Sequence, residues 1–198
     1  MKTLNTLINN RILALVLLCA FFVLASCGPK AKDNKEIAED QNKDKFDNTK
    51  LEDDTEFAVE AADGGMLEVE LGKLAQSNGS SDKVKMFGEM MVTDHSKAND
   101  ELKALASQKN ISLPTALSDK SRKTYNDLAE KKGKDFDEAY TDLMVKDHKK
   151  DIDEFKKEAD KGKDSDLKTW AAGKVPVLEH HLEMAKKAET AADSLKRL

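Results

Sequence analysis

Two cysteines, three prolines and one tryptophan are all that 198 residues hold of those types, and aromatic residues make up only 5%. So few aromatics and turn formers argue against a β-sandwich, which draws on both. Long apolar runs are missing apart from one at the N-terminus, which excludes a multi-pass membrane protein. Both cysteines, Cys19 and Cys27, fall near the start. No thiol is left further on for a disulfide, a zinc–thiolate site or a cysteine nucleophile, so the fold must hold by packing. There is no Gly-rich phosphate loop, no Gly-x-Ser-x-Gly elbow and no His-Glu-x-x-His. What is abundant is charge, at 36% of residues. With proline this scarce, that composition favours amphipathic helices.

The N-terminus reads as an address. Lys2 and Arg11 precede an apolar run over 12–25, with no acid among them. The run is short for a membrane span and has the length of a signal-peptide core. It ends in Leu24-Ala25-Ser26-Cys27, which resembles the bacterial lipobox, whose cysteine is lipidated and becomes the first mature residue. The expectation is a lipoprotein signal peptide over 1–26 and membrane attachment through Cys27 in the bacterial cell envelope. Gly28 offers no acidic retention signal, which points to the outer membrane or periplasm. Losing the two bases of the leader moves the net charge from −5 to −7. Such an acidic body disfavours nucleic acid.

Residues 27–50 are polar and nearly free of large apolar groups. A flexible tether is expected there, because so little surface can be buried. From 51 to 196 the apolar residues recur at helical spacing. Long helices are predicted over about 51–77, 82–109, 135–161 and 165–195, with a short polar helix over about 118–131. Asn78-Gly79, Asn110 to Pro114 and Gly162 supply the breaks, and Ser80-Ser81-Asp82 offers caps. Pro176 predicts a kink or break in the last helix. The fold class is all-α: a four-helix bundle of two antiparallel hairpins with a short extra helix in the long connection. That connection suits both a ferritin-like crossover and simple up-down connectivity. The segment from Met91 to Lys103 matches that from Met144 to Lys156 at eight of thirteen positions, including Met-Val-x-Asp-His in both.

Polar residues interrupt the apolar faces. His95, His148 and His181 occupy apolar positions of the second, third and fourth long helices, and Glu68 borders that of the first. Counted from the turns, the two polar residues of each hairpin differ in height by about four residues, roughly 6 Å, which their side chains span. Buried and unpaired, each would cost about 1–3 kcal/mol, so they need partners. Three imidazoles and a carboxylate match a ligand set for one zinc, iron or copper ion. A metal-free hydrogen-bond network is the alternative, and the protein would then be a structural or interaction module facing an envelope partner. Asp94 and Asp147 could each orient a histidine on a neighbouring helix. His180, about 100° off the face, is a further candidate. Met91, Met144 and Met184 lie one turn from histidines, which would suit copper, although methionines on such faces commonly fill space. Lys149-Lys150-Asp151 and Glu154–Lys157 read as solvated faces. Gly64-Gly65 reads as close helix approach or a kink beside Glu68, and Trp170 as a core anchor.

Gly64-Gly65-x-Leu67-Glu68, Val84-Lys-x-Phe87, Met91-Val-x-Asp94-His95, Phe136-Asp-x-x-Tyr140, Asp147-His148 and Pro176-x-Leu178-x-x-His181 together resemble the bacterial envelope family called domain of unknown function 4142. The resemblance covers about 52–190. It implies a ferritin-like fold, an outer-membrane setting and motif positions at Glu68, His95, His148 and His181, with no established activity. Ferritin-type di-iron sites use Glu-x-x-His on two helices. Val92, Val145, Val177 and Leu178 stand three residues before the histidines, so ferroxidase or iron-storage chemistry is disfavoured. No enzymatic reaction is assigned.

Overall fold

The stretches of helical period become helices with nearly the expected bounds. The computed structural model describes residues 31–196, over which all regular structure is helical. The helices are α1 (Asn34–Phe46), α2 (Glu52–Asn78), α3 (Asp82–Gln108), α4 (Asp119–Ala129), α5 (Gly133–Lys161) and α6 (Ser165–Lys196). The signal peptide, Cys27 and the first residues of the tether lie outside the described residues. None of the described helices is long and apolar enough to cross a membrane.

Helices α2 and α3 form one antiparallel hairpin, and α5 and α6 form another. The ends fix how they meet. Asn78 at the end of α2 donates from Nδ2 to the Lys131 carbonyl oxygen (3.0 Å), just before α5. Asp54 at the start of α2 accepts the Lys163 N–H (2.8 Å) just before α6. Lys109 at the end of α3 pairs with Asp164 (2.6 Å) at that same end. Residues 109–132 therefore run from one end of the hairpins to the other. Asn110, in the left-handed region at φ 58°, turns the chain out of α3.

Buried aspartates close these junctions. Asp137 of α5 accepts the Ser80 N–H (3.0 Å), the Ser80 hydroxyl (2.6 Å) and the Ser81 N–H (2.9 Å). The cap expected from the Ser80–Asp82 side chains thus comes instead from another helix, since Ser81 makes no side-chain cap bond. Asp63 of α2 accepts the Ser118 N–H (2.8 Å) and the hydroxyls of Ser118 and Ser121 (both 2.7 Å), which docks α4.

The tether expectation is corrected over 34–46. Asp33 and Glu36 form a reciprocal capping box at the start of α1, each accepting the other's backbone N–H at 2.9 Å. Asn42 is buried and bridges to Ser112 with two bonds, of 2.8 and 2.7 Å. The helix buries only Ala38 and Asn42. Apart from Phe46, which packs on the apolar cluster around Ala58 and Leu102, its contacts are mostly polar, so periodicity gave little sign of it. Pro176 does not break α6, which runs through it. It lacks the N–H that would bond the Ala172 carbonyl, and both residues are exposed, where water can serve instead.

The interior is graded along its length. Toward the α2–α3 turn, Leu71, Phe87, Met91, Phe136, Tyr140 and Met144 are fully buried. Toward the other end the core is made of smaller groups, Ala58, Ala62 and Ala106 with Leu102, Ile111 and Leu167. Met91 and Met144 belong to the apolar core, and Met184 packs against it. The backbones of α2 and α3 approach at Gly72 and Gly88: a Cβ on Gly72 would stand 2.6 Å from the Gly88 carbonyl oxygen.

Candidate metal centre

Each long helix brings one polar side chain to the same height. Counted from the end where α2 and α6 begin, Glu68, His95, His148 and His181 lie about 13–16 residues along, or roughly 20–24 Å. All four are buried, with exposures of 4%, 7%, 0% and 1%. Ring centroids are 5.2 Å apart for His95–His181, 5.4 Å for His148–His181 and 5.9 Å for His95–His148. The structure therefore brings together the four residues selected from the sequence.

Each imidazole commits one nitrogen to an oxygen. His95 Nδ1 lies 2.9 Å from Glu68 Oε2, His148 Nδ1 lies 3.0 Å from the Met144 carbonyl oxygen, and His181 Nε2 lies 2.9 Å from Asp94 Oδ2. The oxygens are acceptors, so the nitrogens facing them carry the hydrogens. The other nitrogens, His95 Nε2, His148 Nε2 and His181 Nδ1, are buried with no hydrogen-bond partner. So is Glu68 Oε1, which lies 3.6 Å from His148 Nε2, too far for a bond. One ring nitrogen from each histidine lies within 4.8 Å of those of the other two. This is how metal-binding imidazoles are held, with one nitrogen fixed to an oxygen and the other left for the ion. A tetrahedral zinc site needs nitrogens about 3.4 Å apart, so these rings need only a modest inward closure.

The electrostatics follow from burial opposed by charge. Burial alone would raise the Glu68 carboxyl, but the charge and hydrogen bond of His95, joined in acid by protonated His148 and His181, outweigh it and lower it to about 2. For His95 burial works downward, and the Glu68 carboxylate overcomes it and raises the imidazole. Burial lowers His148, and lowers His181 to about 4, keeping both neutral near pH 7. Tyr140, whose buried hydroxyl has no partner, is raised by burial and by the Glu68 charge.

The remaining candidates divide. Asp94 does orient a histidine on another helix, His181 of α6. Asp147 makes no bond to a histidine; it lines a cavity beside the cluster, and burial and the Glu68 charge raise it to about 6. His180 is exposed and apart from the cluster. Asp151, expected on a solvated face, is partly buried in that cavity and raised to about 9 by burial, Glu68 and Asp147. Its spacing of four residues from Asp147 was the available signal, masked by the charged run around it. Lys149 and Lys150 are exposed as expected, and Lys150 pairs with Glu154 at 3.0 Å.

The fold and cluster define an all-α protein with a buried histidine–glutamate centre. The chain belongs to the family described as Domain of unknown function (DUF4142), whose model matches residues 39–188. No curated protein and no solved structure matches it.

Proposed function

We propose that the protein is a lipid-anchored envelope protein whose four long helices form a ferritin-like bundle around one transition-metal ion. His95, His148 and His181 would be ligands, and Glu68 would orient His95 through Oε2 and offer Oε1 as a fourth donor. The observation that carries this reading is a set of buried polar atoms without partners, one ring nitrogen on each of three clustered histidines and Glu68 Oε1 beside His148. A private hydrogen-bond network would pair them; an ion satisfies all of them at once. The donor set, three imidazoles and a carboxylate, suits zinc, iron or copper. The end-to-end crossover over 109–132 supports the ferritin-like reading, as one such connection is typical of it. Anchoring rests on Leu24-Ala25-Ser26-Cys27.

The test is elemental analysis of the full chain, purified in detergent without an oligohistidine tag. One equivalent of metal is expected, falling by more than half in His148→Ala and His181→Ala. Metal-free protein whose melting is unchanged on adding zinc, ferrous iron or copper would sink the proposal and leave a structural module. Cys27→Ser should release the protein from membranes, read by detergent-phase partitioning.

A further inference from the structure

The small side chains on one side of the cluster leave space. A cavity of about 580 Å³ opens there, reached by residues of all four long helices and bordered by Glu68, His95 and His181. His148 does not line it and stands behind. A volume of that size is far more than one ion and its waters need, at about 30 Å³ per water, and lies in the range of small-molecule sites. Its far wall is aromatic. Phe57 meets Phe155 edge-on at 4.9 Å, and Phe155 lies 5.5 Å from Trp170. Leu67, Leu143 and Leu178 add to the apolar surface. The candidate metal centre borders this space, and charged side chains, among them Asp147, Asp151, Lys146 and Lys174, line it as well.

Building on the metal reading above, we infer that this cavity is a ligand chamber. It takes a small, flat, apolar-bodied monoanion, whose oxygen head coordinates the ion while its body lies among Phe57, Phe155 and Trp170. Charge selects the head. Glu68 and Asp94 together offset a divalent ion, and Lys97, Lys146 and Lys174 on the cavity wall supply the positive charge that a single carboxylate or phenolate meets. Geometry selects the place, because Glu68, His95 and His181 all border the cavity, so the oxygen head would take the fourth position in place of Glu68 Oε1 or add a fifth. Gly64 marks the floor: a Cβ there would meet nothing within 4 Å, although the residue lines the cavity. The missing side chain is therefore not required by helix contact. By contrast, a Cβ on Gly65 would collide with Asn99.

Trp170 is the only tryptophan in the chain and lines the chamber, so its fluorescence reports occupancy with or without metal. The probe is 2-naphthoate, with uncharged 2-naphthalenemethanol beside it, titrated into zinc-loaded and EDTA-treated full-length protein. Saturable quenching by naphthoate is expected, at least about tenfold tighter with zinc and absent for the alcohol at the same concentration. Gly64→Leu should abolish it while the zinc content stays at one equivalent. Ala61→Leu, on the same wall, is the second filling variant, and Gly173→Leu, exposed and away from the cavity, should bind as the parent does. If no metal binds, the reading of the centre fails. The chamber then stands on the EDTA-treated protein alone, through quenching that Gly64→Leu and Ala61→Leu weaken at least tenfold. No saturable quenching up to about 1 mM, or quenching indifferent to both filling variants, overturns the chamber.

Discussion

His181 takes its orientation from Asp94, a residue 41% exposed at its side chain on a different helix. Asp94→Asn keeps the shape and removes the charge. It should weaken metal binding by about 10–100-fold, read by competition with a chromophoric chelator, and leave the melting of the metal-free protein nearly unchanged. Asp151 carries the opposite kind of information. The folded protein keeps its carboxyl neutral up to about 9, whereas the unfolded chain releases that proton near 4. Between those values the folded state holds more protons, so raising the pH through that window destabilises it. Asp151→Asn should therefore raise Tm by about 3 °C at pH 8 and by little at pH 4, checked by thermal melts across pH. The histidines were legible in the sequence because an imidazole on an apolar face demands an explanation. Asp151 was hidden among lysines, because only the space left by small neighbours across the interior turns that face inward.

At the level of elements, helices joined to helices by carboxylates are the recurring device. Asp137→Ala removes three charge-assisted bonds to Ser80 and Ser81, and the loss should be about 2–4 kcal/mol in urea unfolding. Gly88 should resist substitution for a different reason. A Cβ there would stand 2.6 Å from Ala75 Cβ and 2.7 Å from the Gly72 carbonyl oxygen. Gly88→Ala gains about 1 kcal/mol of helix propensity and should still lose about 1–3 kcal/mol net to overpacking, by the same measurement. Where helices stop was readable from Asn78-Gly79, Asn110 and Gly162, since breaking a helix is a local act. How the next one is capped was not, because the capping oxygen of Asp137 lies more than fifty residues away. Helix α1 escaped for a related reason: its partners are Ser112 and Asn110 in the crossover, and no period in 34–46 records them.

For the whole molecule, the polar belt separates two apolar clusters, one built from all four long helices and the other from α2, α3 and α6. The Met-Val-x-Asp-His echo accounts for half of that belt, placing His95 and His148 on α3 and α5. Its two aspartates have nevertheless diverged: Asp94 holds a histidine, and Asp147 faces the cavity. One side chain per rod at a single level has a mechanical meaning for a described chain without thiols. Whatever is gripped there rivets every rod to the others, so no rod can peel away without letting go. With the grip filled, amide exchange along all four should slow together, and the strands of a frayed rope become one cable.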